Sequence, residues 1–124
     1  MAIVGLGIDL TDVHRIRRIL QGSRGRRFEK RVFSCRERAY CGMRLDPAEC
    51  YGARFAAKEA FAKALGAPPG LGWHEVEVVR EKGGPTLCVT GKAATILVER
   101  GVKRTHLSLS HDGDMAAAVV VLED

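Results

Sequence analysis

The stretch DPAECYGARFAAKEAFAKALG, residues 46–66, limits the fold more than any other part of this chain of 124 residues. Asp46, Pro47 and Glu49 supply a cap, a first-turn proline and a third-position carboxylate, so a helix should start there. Gly66 supplies its C-terminal stop after Leu65. Between those ends Ala53, Ala56, Ala57, Ala60 and Ala64 recur at helical spacing. Ala is the strongest helix former, and a face made of it lets another element approach closely.

The flanking sequence predicts what approaches. AIVGLGI, residues 2–8, reads as a buried, glycine-containing first strand that Asp9 ends. Thr11 or Asp12 then caps a helix through Leu20. Val13, Ile16, Ile19 and Leu20 form its apolar stripe, opposite Arg15, Arg17 and Arg18. GSRGRR is a basic turn before a short helix over Phe28 to Val32, and Ser34 with Glu37 is a capping box for another. APPGLG is a loop, residues 74–89 read as a hairpin, and Thr90 caps a helix through Arg100. THLSLSH and MAAAVVVLE read as strands joined at a DGD turn. This order predicts one α+β domain over residues 1–124, with an antiparallel-rich sheet packed on the long helix.

Charge is uneven. Residues 13–45 hold eleven Lys/Arg against two acids, a net of +9, which leaves the rest of the chain at −4. Such a region suits an acidic protein or a polyanion. A nucleic-acid-binding module is the rival reading, with six arginines from Arg15 to Arg27 as its footprint. Against it, the region lacks interleaved aromatics for stacking. A third reading, a subunit that uses the alanine face only for assembly, predicts no small-molecule site. No apolar run approaches the length of a membrane span, and MAIVGLGIDL lacks the basic leader of a signal peptide, so a cytoplasmic protein is expected. Cys35, Cys41, Cys50 and Cys88 show no CxxC spacing and no accompanying His cluster. Zinc and disulfides are not expected, and the four read as small, partly buried thiols.

The long helix also carries Glu59 among Arg54, Lys58 and Lys63. Composition alone makes Glu59 half of an ordinary i,i+4 pair with Lys63, worth about 0.2–0.5 kcal/mol. Asp9, at a strand end before a helix, changes that reading. Two carboxylates on separate elements suit Mg²⁺, which takes few protein oxygens and completes its shell with water and phosphate. Arg54, Lys58 and Lys63 suit a phosphate-rich ligand. His111-Asp112 forms a further candidate at a strand end, whereas His14, His74 and His106 have no supporting pattern. Neither GxxxxGK[ST] nor GxGxxG occurs, and Gly70–Gly72 and Gly83–Pro85 read as turns.

GIDLTDVHRI (residues 7–16), RFAAKEAFAKALG (54–66) and LSLSHDGDMAAAVVV (107–121) together resemble the signature segments of the 4′-phosphopantetheinyl transferases, in particular the small holo-[acyl-carrier-protein] synthase type. The resemblance implies that family's fold. It implies transfer of phosphopantetheine from coenzyme A to a serine of an acidic acyl carrier protein, a requirement for Mg²⁺, and homotrimers with sites between subunits. By the same resemblance, Asp9 and Glu59 match the metal ligands and Lys63 a lysine near the diphosphate. Arg54 and His111 match positions near the coenzyme, and Arg15 matches a residue on the helix that receives the carrier, where Arg18 shares its face. Glu59 is then the first choice for the base that takes the serine proton, and Asp112 the second.

Overall fold

The computed structural model describes residues 1–124. In chain order the elements are β1 (Ile3–Asp12), α1 (Val13–Gln21), α2 (Gly25–Val32), α3 (Cys35–Gly42) and α4 (Pro47–Ala64). After a 3₁₀ turn at Trp73–Glu75 come β2 (Val76–Glu81), β3 (Gly84–Val89), α5 (Gly91–Glu99), β4 (Arg104–Asp112) and β5 (Met115–Glu123). β5 is the centre of an antiparallel sheet in the order β1-β5-β4, and β2-β3 is a separate hairpin. The α+β architecture read from the sequence holds, with the antiparallel pairing divided between two sheets.

The alanine face of α4 lies on the three-stranded sheet, and glycine makes that contact close. A Cβ placed on Gly7 would lie 1.9 Å from the Ala60 carbonyl oxygen. Only a residue without a side chain lets helix backbone and strand backbone meet this way. Ala56, Ala57, Ala60 and Phe61 are fully buried against Ala118, Val120 and Leu122 of β5 and Val76 and Val78 of β2. A second cluster, with Ile16, Val32, Phe33 and Tyr51, binds α1, α2 and α3 to the first half of α4.

Two features of β1 differ from the sequence reading. Asp9 does not end the strand: it pairs with Ala118, and β1 continues to Asp12, whose carboxylate caps α1 by accepting from the His14 amide at 2.9 Å. Nor is the strand buried on both faces. Gly5, Gly7, Asp9 and Thr11 alternate onto the α4 side, which leaves Leu6, Ile8 and Leu10 58–65% exposed on the other. A hydrophobic run is equally compatible with one buried face or two.

The capping box at Ser34 and Glu37 forms, with bonds of 3.2 and 2.9 Å. Asp46 does not cap α4, because its carboxylate is taken by Arg17 at 2.8 and 3.0 Å. Thr90 makes no side-chain cap. The cysteine reading is also corrected. Cys41 and Cys50 form a disulfide, because the tight corner between α3 and α4 brings their Cα atoms to 5.4 Å. Cys35 and Cys88 are free thiols, and both are exposed.

Candidate active site

The β1 flank of α4 gathers charge. Asp9 points toward the helix because it shares the inward register of Gly7, and Lys63 meets it: Nζ lies 3.1 Å from Asp9 Oδ1 and 3.1 Å from the Ile8 carbonyl oxygen. Thr11 donates to Asp9 Oδ2 at 3.1 Å. Glu59 stands one helical turn before Lys63, and the simple i,i+4 pair between them does not form, since Lys63 turns to β1 instead. The Glu59 carboxyl is held above the usual range, first by burial and then by the charge of Asp9, while Lys63 and Arg15 act in the opposite direction. Arg15 of α1 therefore belongs to this cluster electrostatically. No group of three or more His, Cys, Asp or Glu side chains is poised for a metal. Two partly buried carboxylates next to a lysine fit Mg²⁺, which is commonly held by one or two protein carboxylates together with substrate phosphates. They fit zinc poorly.

The opposite flank of α4 carries a groove of ≈ 780 Å³, whose wall includes Tyr40, Arg44, Glu49, Arg54, Arg80 and His111. Arg54 is only 5% exposed and stacks on Tyr40, with its guanidinium carbon 4.5 Å from the ring centroid. Its Nη1 donates to Cys50 Sγ at 3.2 Å, and its Nε has no partner. Burial lowers its pKa, with Tyr40 and Glu37 opposing. A buried guanidinium with an unpaired donor is suited to an anion. His111 Nδ1 lies 3.4 Å from Glu49 Oε2 on the same wall.

The other sequence candidates go elsewhere. Lys58 does not face a ligand. It is 4% exposed, and its ammonium contacts Glu37 Oε1 at 2.9 Å and the carbonyls of Trp73 and Val76 at 3.0 and 2.5 Å. The reading of Lys58 as a coenzyme contact is thus replaced by an internal ion pair that ties α3, α4 and β2 together. Asp112, exposed at the end of β4, falls on the opposite side of the strand from His111. Arg18 is exposed on α1. The sequence reading missed Glu37 and Glu49 as partners. Both were visible only as third-position carboxylates, a signal for helix starts that says nothing of a second contact.

An acid pair with a lysine on one side of a helix, and an arginine-lined groove on the other, suit a phosphate-rich ligand. The model of the 4′-phosphopantetheinyl transferase superfamily matches residues 5–120. A holo-[acyl-carrier-protein] synthase of Myxococcus xanthus is 50% identical over 123 residues, 99% of this chain and 97% of that protein. The crystal structure of the synthase from Neisseria meningitidis superposes with a TM-score of 0.88 at 31% identity, covering 99% of this chain and 100% of that one. The Bacillus anthracis synthase, solved in complex with coenzyme A (3′,5′-ADP), gives a TM-score of 0.77 at 33% identity, over 97% and 96% of the two chains. The chain belongs to the 4′-phosphopantetheinyl transferase superfamily.

Proposed function

We infer that the protein transfers the 4′-phosphopantetheine group of coenzyme A to a serine hydroxyl of an apo acyl carrier protein and releases adenosine 3′,5′-bisphosphate. The observation that carries this reading is the Asp9–Glu59–Lys63 cluster, held on two elements by the Gly7 contact. The serine oxygen forms a bond to the β-phosphorus, the bond from that phosphorus to the bridging oxygen breaks, and the bisphosphate leaves with the electron pair. Catalysis of this kind is chiefly positioning and charge neutralisation. Asp9 and Glu59 would hold Mg²⁺, which when bound supplies positive charge to the diphosphate. Lys63 places a cation where the leaving phosphate gains charge. Glu59 is our first choice for the group that accepts the serine proton. Asp112 falls on the opposite side of β4 from His111 and the groove, which favours Glu59. Exposed Arg15 and Arg18 would steer an acidic carrier, with the salt sensitivity typical of such contacts.

The active unit is an oligomer, most simply the trimer of the family resemblance. Two observations support it. Leu6, Ile8 and Leu10 form an uncovered apolar row. And the two halves of the site lie apart in one chain: Asp9 and His111 are on the two edge strands, and Arg54 and Glu59, five residues apart, point about 140° apart around α4. One chain's Asp9 flank facing a neighbour's Arg54 groove would complete the site. No helix is long and apolar enough to cross a membrane.

Intact-mass spectrometry of an apo carrier incubated with this protein, coenzyme A and Mg²⁺ tests the reaction. The expected result is the gain of one phosphopantetheine, abolished by chelation. No gain with any of several carriers would refute it. Mixing the inactive Glu59→Ala and Arg54→Ala proteins tests the shared site. Partial recovery of activity is expected, and none would place both halves in one chain.

A further inference from the structure

We propose that the Cys41–Cys50 disulfide is a redox latch on the Arg54 groove: closed, it holds the wall that binds the nucleotide end of coenzyme A, and reduction by a dithiol loosens that wall and weakens binding. The inference rests on the groove being the coenzyme site.

The wall is built around the disulfide. Cys50 lines the groove, and its sulfur accepts from Arg54 Nη1 at 3.2 Å. Cys41, fully buried, follows Tyr40, the ring on which Arg54 stacks and over which Arg44 also lies at 5.4 Å. The S–S bond therefore joins the segment that carries the aromatic platform (α3) to the segment that carries the buried cation (α4). Beyond the Glu37–Lys58 pair and the packing of Phe33, Cys41 and Tyr51, few contacts hold this corner. Arg44 N donates to the Cys41 carbonyl at 3.1 Å, Met43 N to the Tyr40 carbonyl at 3.3 Å, and Arg17 grips Asp46. Met43 and Leu45 are 89% and 107% exposed, so packing adds little there.

The two sulfurs also differ in access. Cys50 is half-buried at the groove, and Cys41 is sealed. An external dithiol attacks the Cys50 sulfur, the S–S bond breaks, and Cys41 leaves as a thiolate that takes up a proton. The second thiol of the reductant then displaces Cys50. Two electrons and two protons pass to the protein, and the reductant becomes a disulfide. Asp9, Glu59 and Lys63 lie on the other flank of α4, so the change falls on binding and spares the chemical step. A ligand wall that must order itself on binding loses affinity, here roughly 3–10-fold.

The test pairs thiol counting with calorimetry. Alkylation followed by mass spectrometry is expected to label two cysteines in the oxidised protein and four after dithiol treatment. Adenosine 3′,5′-bisphosphate should bind the reduced form 3–10-fold more weakly. Cys41→Ser/Cys50→Ser protein should bind like the reduced form and ignore reductant, while Cys35→Ser/Cys88→Ser protein keeps the response. Equal affinity of the oxidised and reduced forms, or four reactive thiols in protein equilibrated with oxidised dithiol, overturns the latch and leaves the groove assignment standing. Absence of bisphosphate binding by every form overturns the groove assignment and the latch with it.

Discussion

Replacing Lys58 by Met separates a structural lysine from a coenzyme-binding one. The Lys58 ammonium lies in a shell of three oxygens, one from the Glu37 carboxylate and two from backbone carbonyls, and the Lys58 and Glu37 side chains are 2% and 0% exposed. Burial lowers the lysine pKa, while the Glu37 charge pushes it back up. Methionine keeps most of the side-chain volume, so the loss is electrostatic. Breaking a buried pair by removing one partner typically costs about 3–5 kcal/mol, because the remaining charge is left without compensation. Glu37 keeps its bonds from the amides of Ser34 (2.9 Å) and Val78 (2.8 Å), which favours the lower half of that range. For a chain of this size, a loss of about 3–4 kcal/mol lowers Tm by roughly 10–20 °C. Differential scanning calorimetry measures this, and coenzyme A titration below the transition should give a KM within about twofold of the parent, since no ligand contact is lost. Adding Glu37→Gln should return part of the lost stability, because no buried charge is then unpaired. An unchanged Tm together with a tenfold rise in KM would refute this reasoning and give Lys58 back to the coenzyme.

The carboxylate of Glu59 is expected to cost the metal-free fold stability. Its folded pKa lies above the unfolded value, so the folded state binds more protons in that window and stability falls as pH rises through it. Glu59→Gln should therefore raise Tm near neutral pH without Mg²⁺, lose that advantage below the usual carboxylate range, and be inactive; melting curves at the two pH values check the sign. Gly7→Ala forces a methyl to 1.9 Å from the Ala60 carbonyl oxygen and 2.8 Å from the Ala64 nitrogen, so α4 must lift off β1. Denaturant unfolding should show a loss of about 1–3 kcal/mol or more, with activity falling further than the folded fraction explains. Ile8→Glu sets a charge in the exposed apolar row of β1, and light scattering should then report monomers with little activity. Reversing Arg18 to Glu should raise KM for the carrier several-fold, reduce its salt dependence, and leave the coenzyme KM nearly unchanged.

What the sequence disclosed follows from the range of each signal. Helix periodicity and caps act over a few residues, so the extent of α4, the Ser34–Glu37 box and the β4–β5 hairpin were all legible. Asp9 and Glu59 stood out because each sits oddly in its own segment, one in an apolar strand and one in an alanine-rich helix. Their grouping with Lys63 depends on β1 register and on the Gly7 contact, which no local pattern reports. Lys58 and Lys63 look alike in the sequence, yet they lie five residues apart on α4 and face nearly opposite ways. One is buried against Glu37 and the other is half exposed beside Asp9. The disulfide was missed because compartment and spacing are weak guides, and only the α3–α4 corner brings Cys41 to Cys50.

Three features of the isolated chain oppose its stability, and they lie where the inferred function needs them. A raised Glu59 beside Asp9 keeps two carboxylates close in a partly buried place. Arg54 keeps a buried Nε unpaired. The β1 row of Leu6, Ile8 and Leu10 exposes apolar surface that β1 shares with Asp9, on the other face of the same strand. A cation would relieve the first, a phosphate the second, and another copy of the chain the third. The second copy does more than cover surface. In the proposed oligomer a neighbour's arginine groove would face the acid pair, because Glu59 and Arg54 diverge around α4. Assembly and completion of the site would then be one event, driven by apolar burial along β1.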